Sequence, residues 1–355
     1  MHQNRAQYKM MFFVFGLTIV VLFCYIIYRR HSVICKDFPP GPPSIPFFGS
    51  FPFLDLKNGN SDAVLDKAFY KFDKYMYTVW LGRIPLIVIQ DFNLAKDLFA
   101  RDEFCGRPAS FHDKYIRGED GYCLGIVTTM DSYWQEQRRF TLKHLKDLGF
   151  GRKKLETIIH DEIKYLIDDL IINSRNRKDV LISSTFNFPI INILWQIVAS
   201  KKYDPELPES KEMMSKVCRL FELGIPVLDF LVSSMRHRLP LLNVDKLTLD
   251  LKSLFREQIQ EHENEYKSGD IHEPSNFIDI YLREIEEQKR SIGVNEERSH
   301  LSFNTDQLTI ICLDLFQAGS ETSSTTLSWA VMYLTLYQDV QEKCWMEINQ
   351  QLGGK

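Results

Sequence analysis

The sequence predicts a mainly α-helical globule with a small β-sheet element near its N-terminal end and a transmembrane helix ahead of both. Three observations lead there. From about Ser132 onward, apolar residues recur mostly at helical spacing. Earlier, Tyr77–Ile89 holds two β-rich runs around Gly82 and Pro85, the pattern of a hairpin. Earlier still, Met10–Tyr28 is apolar and uncharged.

Residues 1–9 form a short tail, and 10–28 can cross a hydrocarbon core of roughly 30 Å as a helix. The run is too long for a signal-peptide core, and no small-x-small cleavage site follows, so it reads as a retained anchor. Arg29, Arg30 and Lys36 follow the span while Arg5 and Lys9 precede it, which leans toward a cytosolic main domain. Residues 29–50 are a basic, proline-rich hinge. In Phe38–Gly49 each proline forces extended geometry on itself and its predecessor, giving a semi-rigid strut whose aromatic residues look made for packing. The remaining 51–355 read as the globular part of the chain. Within it, Asp62–Asp73 and Asn93–Ala100 look helical, and the polar stretches Asn173–Lys178 and Glu284–His300 look like exposed connections.

Composition excludes some classes. At 355 residues and 45% hydrophobic, the chain can bury a large core as one big domain or two. A net charge of -4 gives no basic footprint for nucleic acid. The seven cysteines are scattered, with no CxxC pair or Cys/His cluster, which fits reduced thiols rather than a disulfide framework or a metal site.

Asn304–Gln338 reads as one long helix. Asn304 can cap it, and Gln307 can reach back as in a capping box. Leu308, Ile311, Leu315, Ala318 and Thr322 share one face. In its middle, Ala318-Gly319-Ser320-Glu321-Thr322 puts a glycine, an acid and hydroxyls where a core helix carries Leu or Ile. Glycine there costs about 1 kcal/mol against alanine, and Ser and Thr bend helices by bonding one turn back. Several local violations in one place suggest a site. Glu321 and Thr322 could relay a proton to a buried acceptor; alternatively Glu321 is solvated and Thr322 back-bonds to Ala318. In WQEQRRF, Trp134 and Arg138 lie on one helical face, where indole and guanidinium can donate to one anion, or the arginine can simply pack on the ring. Arg107, in the turn Phe104–Pro108, says little alone.

Taken in order, the apolar span, FPPGPPSIPFFG, FCGRP, WQEQRRFTLKHLKDLG and AGSETSSTTLSWA resemble the microsomal cytochrome P450 monooxygenases, especially their family 2 group. The resemblance implies a partial cytochrome P450 fold, helices A to J, at the endoplasmic reticulum membrane. It implies that Trp134, Arg138 and Arg107 hold haem propionates. It also implies that Ala318, Gly319, Glu321 and Thr322 form the motif where the long helix bulges over haem to admit dioxygen, with Thr322 helping to deliver protons. A lipophilic substrate is expected, with Phe111–Gly125 and Phe221–Leu242 around its cavity, the latter stretch reading equally as a buried helix pair or a patch dipping into the membrane. Electrons are expected from NADPH through NADPH–cytochrome P450 reductase, with cytochrome b5 as a second candidate partner. After the long helix no ExxR pair follows, and the family's Phe-x-x-Gly-x-x-x-Cys-x-Gly loop, which supplies the axial cysteine, is missing from this sequence. The chain is therefore expected to be C-terminally truncated, with Leu308, Ile311, Leu315 and Trp329 exposed unless a partner covers them. The alternatives are a catalytically inactive fragment that binds ligand or redox partner and, further off, an unrelated membrane-anchored helical scaffold.

Overall fold

The hairpin expected near the N-terminal end is present: β1 (Met76–Leu81) pairs antiparallel with β2 (Ile84–Ile89), Met76 opposite Ile89 and Leu81 opposite Ile84. The tight turn needs a left-handed residue, and Gly82 supplies it at φ +62°. The computed structural model describes residues 36–53, 72–107 apart from 83, 117–119, 122–176, 179–222 apart from 181, 243–268, 273–291 and 302–353, with Thr18, Leu22, Phe23, Tyr25–Arg29 and Val33. The expected anchor and the expected helix over 62–73 lie largely outside these residues. Among the described residues, no helix is long and apolar enough to cross a membrane. The described chain forms two compact units, one running to Cys105 and the other beginning at Gly106.

In the first unit the proline-rich segment lies along β1 instead of spanning open space. Thr78 N–H donates to the Pro40 carbonyl at 3.1 Å, and Ser50 exchanges bonds with Trp80 through its backbone N–H (2.7 Å) and its side chain (3.2 Å). Phe38 meets the Trp80 ring edge-on at 5.1 Å. The close approach explains Gly41: a Cβ there would stand 1.8 Å from the Thr78 carbonyl oxygen. Phe47 and Phe48, expected to pack, are exposed. Helix α1 (Phe92–Phe99) follows, capped by Asp91, whose side chain accepts from Leu94 N–H.

Among its described residues, the regular structure of the second unit is helical apart from the two-residue strands β3 (Gly118–Glu119) and β4 (Tyr122–Cys123). Its helices are α2 (Asp131–Asp147), α3 (Lys153–Arg175), α4 (Ile182–Thr185), α5 (Asn187–Ala199), α6 (Pro208–Glu222), α7 (Asn243–Ser268), α8 (Phe277–Ser291), α9 (Thr305–Leu336) and α10 (Gln338–Leu352). The polar stretches 173–178 and 284–300 are therefore less loop-like than expected: α3 runs on to Arg175, and α8 to Ser291 with Ile285 buried. Amphipathic periodicity outweighs charge content there.

The core sits where α9 packs on α5 and α7. Trp195, Phe255 and Phe316, one from each, meet with ring centroids 5.0 to 5.9 Å apart. Burying each is worth about 1.5–3 kcal/mol or more. A second aromatic group joins α2, α8 and the approach to α9: Phe140 lies 5.4 Å from Tyr281 and 4.8 Å from Phe303. Beneath it Gln137 accepts from the Tyr281 hydroxyl (2.7 Å) and donates to the Ser302 carbonyl (2.8 Å), so no polar atom of that bridge is left unpaired.

Candidate cofactor site

Helix α9 carries the centre of the expected site. Asn304 caps it as expected, its Oδ1 accepting from Gln307 N–H at 2.7 Å. The Gln307 side chain does not complete a capping box; it accepts from the Gly125 N–H (2.9 Å) and donates to the Gly125 carbonyl (3.2 Å). The helix then stays α-helical through Ala318–Thr322. Three hydroxyls here bond within the helix: Ser320 to the Phe316 carbonyl, Thr322 to the Ala318 carbonyl and Thr326 to the Thr322 carbonyl, each at 2.7 Å. Glu321 accepts from the Thr325 hydroxyl at 3.0 Å. These local partners let the polar run continue the helix.

Burial divides α9 in two. Leu308, Ile311 and the residues between them are wholly buried, contrary to the exposure expected for that face, because α5, α7 and the segment 124–126 cover them; Leu315 is half-buried. From Ala318 on, one face is open, with Ala318, Thr322, Thr325, Thr326 and Trp329 exposed. Gly319 instead faces α5, where a Cβ would meet Leu194 Cδ2 at 3.1 Å. Its lack of a side chain allows close helix packing.

On α2, Trp134 and Arg138 share a face, as their spacing requires. Arg138 lies over the Trp134 ring, 5.5 Å from its centroid, and the indole N–H donates to the Ile126 carbonyl at 3.1 Å. Arg107 is exposed, with Nη1 donating to the Gly106 carbonyl at 3.0 Å. A cleft of about 810 Å³ opens beside α2 and α8, but Arg139, Lys143, His144, Glu136 and Glu284 line it, none of them a residue of the expected site.

The sequence reading passed over Asp314. It is buried, pairs with Arg117, and accepts the backbone N–H groups of Ile126 (2.7 Å) and Val127 (3.1 Å). Arg117 also donates to Gln317 Oε1 at 2.8 Å. Burial pushes the Asp314 carboxyl up, while Arg117 and the two N–H groups pull it down. Gly125 sits at φ +89°, and a Cβ there would come within 2.3 Å of Asp314 Oδ2. One signal was legible: an acid inside the apolar run Ile310–Phe316, at a buried position that needs partners.

These residues suit a flat dicarboxylate cofactor. The Arg138 guanidinium can donate to a carboxylate, the Trp134 indole N–H is given to the Ile126 carbonyl, and the open face of α9 offers small and hydroxyl side chains beside apolar ones. Two of the described thiols suit it less. Cys312 is buried and its thiol pushed up by burial, then by the charge of Asp314, while Cys344 sits exposed on α10.

The family model described as Cytochrome P450 matches residues 39–355. The chain is similar to farnesoate epoxidase of Bombyx mori, 30% identical over 350 residues, 94% of this chain and 65% of that protein. It is similar to cytochrome P450 2J3 of Rattus norvegicus, 28% identical over 333 residues, 90% of this chain and 61% of that protein. Cytochrome P450 2C29 of Mus musculus is 30% identical over 356 residues, 95% of this chain and 66% of that protein. The chain thus spans 61% to 66% of the length of these relatives. With its helical body, small hairpin and long α9, this chain belongs to the cytochrome P450 family and is of the family 2-like type.

Proposed function

We propose that the chain is the oxygen-handling part of a monooxygenase that inserts one atom of O₂ into a lipophilic substrate. What carries the reading is the exposed Ala318–Thr322 face, which opens directly after the buried half of α9. Arg107 and Arg138 would hold the propionates through charge-assisted donors, and Trp134 would join them by turning its indole N–H from the Ile126 carbonyl. Haem, when bound, supplies the iron centre that activates dioxygen. Ala318 and Gly319 would border it. Thr322 holds a hydroxyl proton on the Ala318 carbonyl at 2.7 Å, and turning that hydroxyl outward would offer the proton to the open face. Glu321, beside it, can recharge the hydroxyl. Electrons would come from NADPH through NADPH–cytochrome P450 reductase, with cytochrome b5 as a second donor. The apolar run 10–28 would anchor the chain in the endoplasmic reticulum membrane, the hinge 29–50 leading to a cytosolic domain. The thiolate iron ligand would come from the part of the relatives' length that this sequence does not span. A second reading, an inactive fragment that binds ligand or redox partner, is favoured by the inert Cys312 thiol.

Haem titration of the full 355-residue chain tests this. Losing one charge-assisted bond, worth about 1.5–3 kcal/mol, should make Trp134→Phe bind haem roughly ten- to a hundredfold more weakly. Unchanged affinity would remove Trp134 from the site. The reduced chain with CO should lack the Soret band typical of thiolate ligation; its appearance would place the axial ligand within these residues.

A further inference from the structure

We propose that Asp314 is a positioning residue that sets the orientation of Trp134 through the intervening peptide of Ile126. The inference rests on the cofactor role given above to Trp134. The path is short. Asp314 Oδ2 accepts the Ile126 N–H at 2.7 Å, and the Ile126 carbonyl accepts the Trp134 indole N–H at 3.1 Å. The same carboxylate oxygen takes the Val127 N–H at 3.1 Å, so two successive peptides are fixed to α9. Arg117 neutralises the other oxygen and is itself held by Gln317. Gln307 grips the Gly125 peptide by both its N–H and its carbonyl. Thr129 closes the segment by donating to the Gly125 carbonyl at 2.8 Å. Residues 125–127 are therefore clamped to α9 by charge-assisted and paired hydrogen bonds. Trp134, half-buried on α2, takes its indole partner from that clamped segment. A carboxylate one turn before Ala318 thus reaches the propionate-side tryptophan without touching it.

The indole N–H resonance of Trp134, in ¹H–¹⁵N spectra of the full 355-residue chain, reports the link directly. It is identified by its disappearance in Trp134→Phe. Asp314→Leu removes both acceptors and should move that resonance by more than a linewidth while the other four indoles stay put. The double substitution Asp314→Asn with Arg117→Gln keeps a carbonyl for Ile126 and Val127, and its new amide can donate to the introduced glutamine. It should restore the wild-type position. An unmoved resonance in Asp314→Leu overturns the proposal, as does a double variant that moves Trp134 alone. If Asp314→Leu fails to fold, Gly125→Ala displaces the same carboxylate by its 2.3 Å contact and must move the Trp134 resonance. A Trp134→Phe chain with unchanged haem affinity would sink the cofactor role and leave the spectral result standing.

Discussion

Replacing Gly319 by alanine weighs two opposing effects at the middle of α9. Alanine is favoured over glycine inside a helix by about 1 kcal/mol. Against that, the new Cβ would lie 3.1 Å from Leu194 Cδ2 and 3.8 Å from Cδ1. The obstacle is the end of a side chain, not backbone, so Leu194 can give by a few tenths of an ångström. Leu194 is buried in α5, and pushing it off its rotamer costs about 0.5–1.5 kcal/mol. The two terms nearly cancel, and Gly319→Ala should change stability by less than about 1 kcal/mol. Gly319→Val adds two more methyl groups in the same direction and should cost about 1–3 kcal/mol by overpacking. Urea unfolding of the full chain, followed by far-ultraviolet circular dichroism with the slope checked for constancy, measures both. A loss beyond about 2 kcal/mol for alanine, or a neutral valine, refutes the reasoning.

Two further outcomes follow from burial. Cys312 should resist a thiol reagent at neutral pH until the chain unfolds, whereas exposed Cys344 reacts at once; fast labelling of Cys312 in the folded chain would contradict its burial. His144 is held below the ordinary imidazole value of about 6.5 by burial and then by Lys143, with Asp147 and Glu284 opposing. The unfolded chain therefore binds the proton more readily, so this residue's contribution to stability is present above that value and is lost as pH falls through it. His144→Gln should flatten the fall of the unfolding midpoint between neutral and mildly acidic pH, and an unchanged slope would count against it.

Most of the helices and the hairpin were legible because they depend on local periodicity and turn chemistry. Trp134 with Arg138, and Thr322 with Ala318, were legible for the same reason, since residues four apart on a helix must share a face. What could not be read were partners distant in the chain. Gln307 reads as a capping-box residue, and tertiary contact with Gly125 takes its side chain instead. Exposure of Leu308 and Ile311 is expected when the part of the fold that should pack on α9 is missing from the sequence; α5 and α7 bury them instead. Asp314 was missed although its burial could be inferred, because Arg117 and the Ile126 and Val127 peptides lie nearly two hundred positions away. The last turns of α8 carry the charges of an exposed loop, and only the burial of Ile285 marks them as helix.

The buried half of α9 also bears on synthesis. Residues 125–127 meet it across sequence separations of 182 to 188, and Trp195 and Phe255 wait for Phe316. Closures of that length form slowly. Until Phe316 has left the ribosome, α5, with eight buried residues in its thirteen, has no covering helix from α9. That interval is when a nascent chain most needs a chaperone, and α5 is the segment a chaperone would hold.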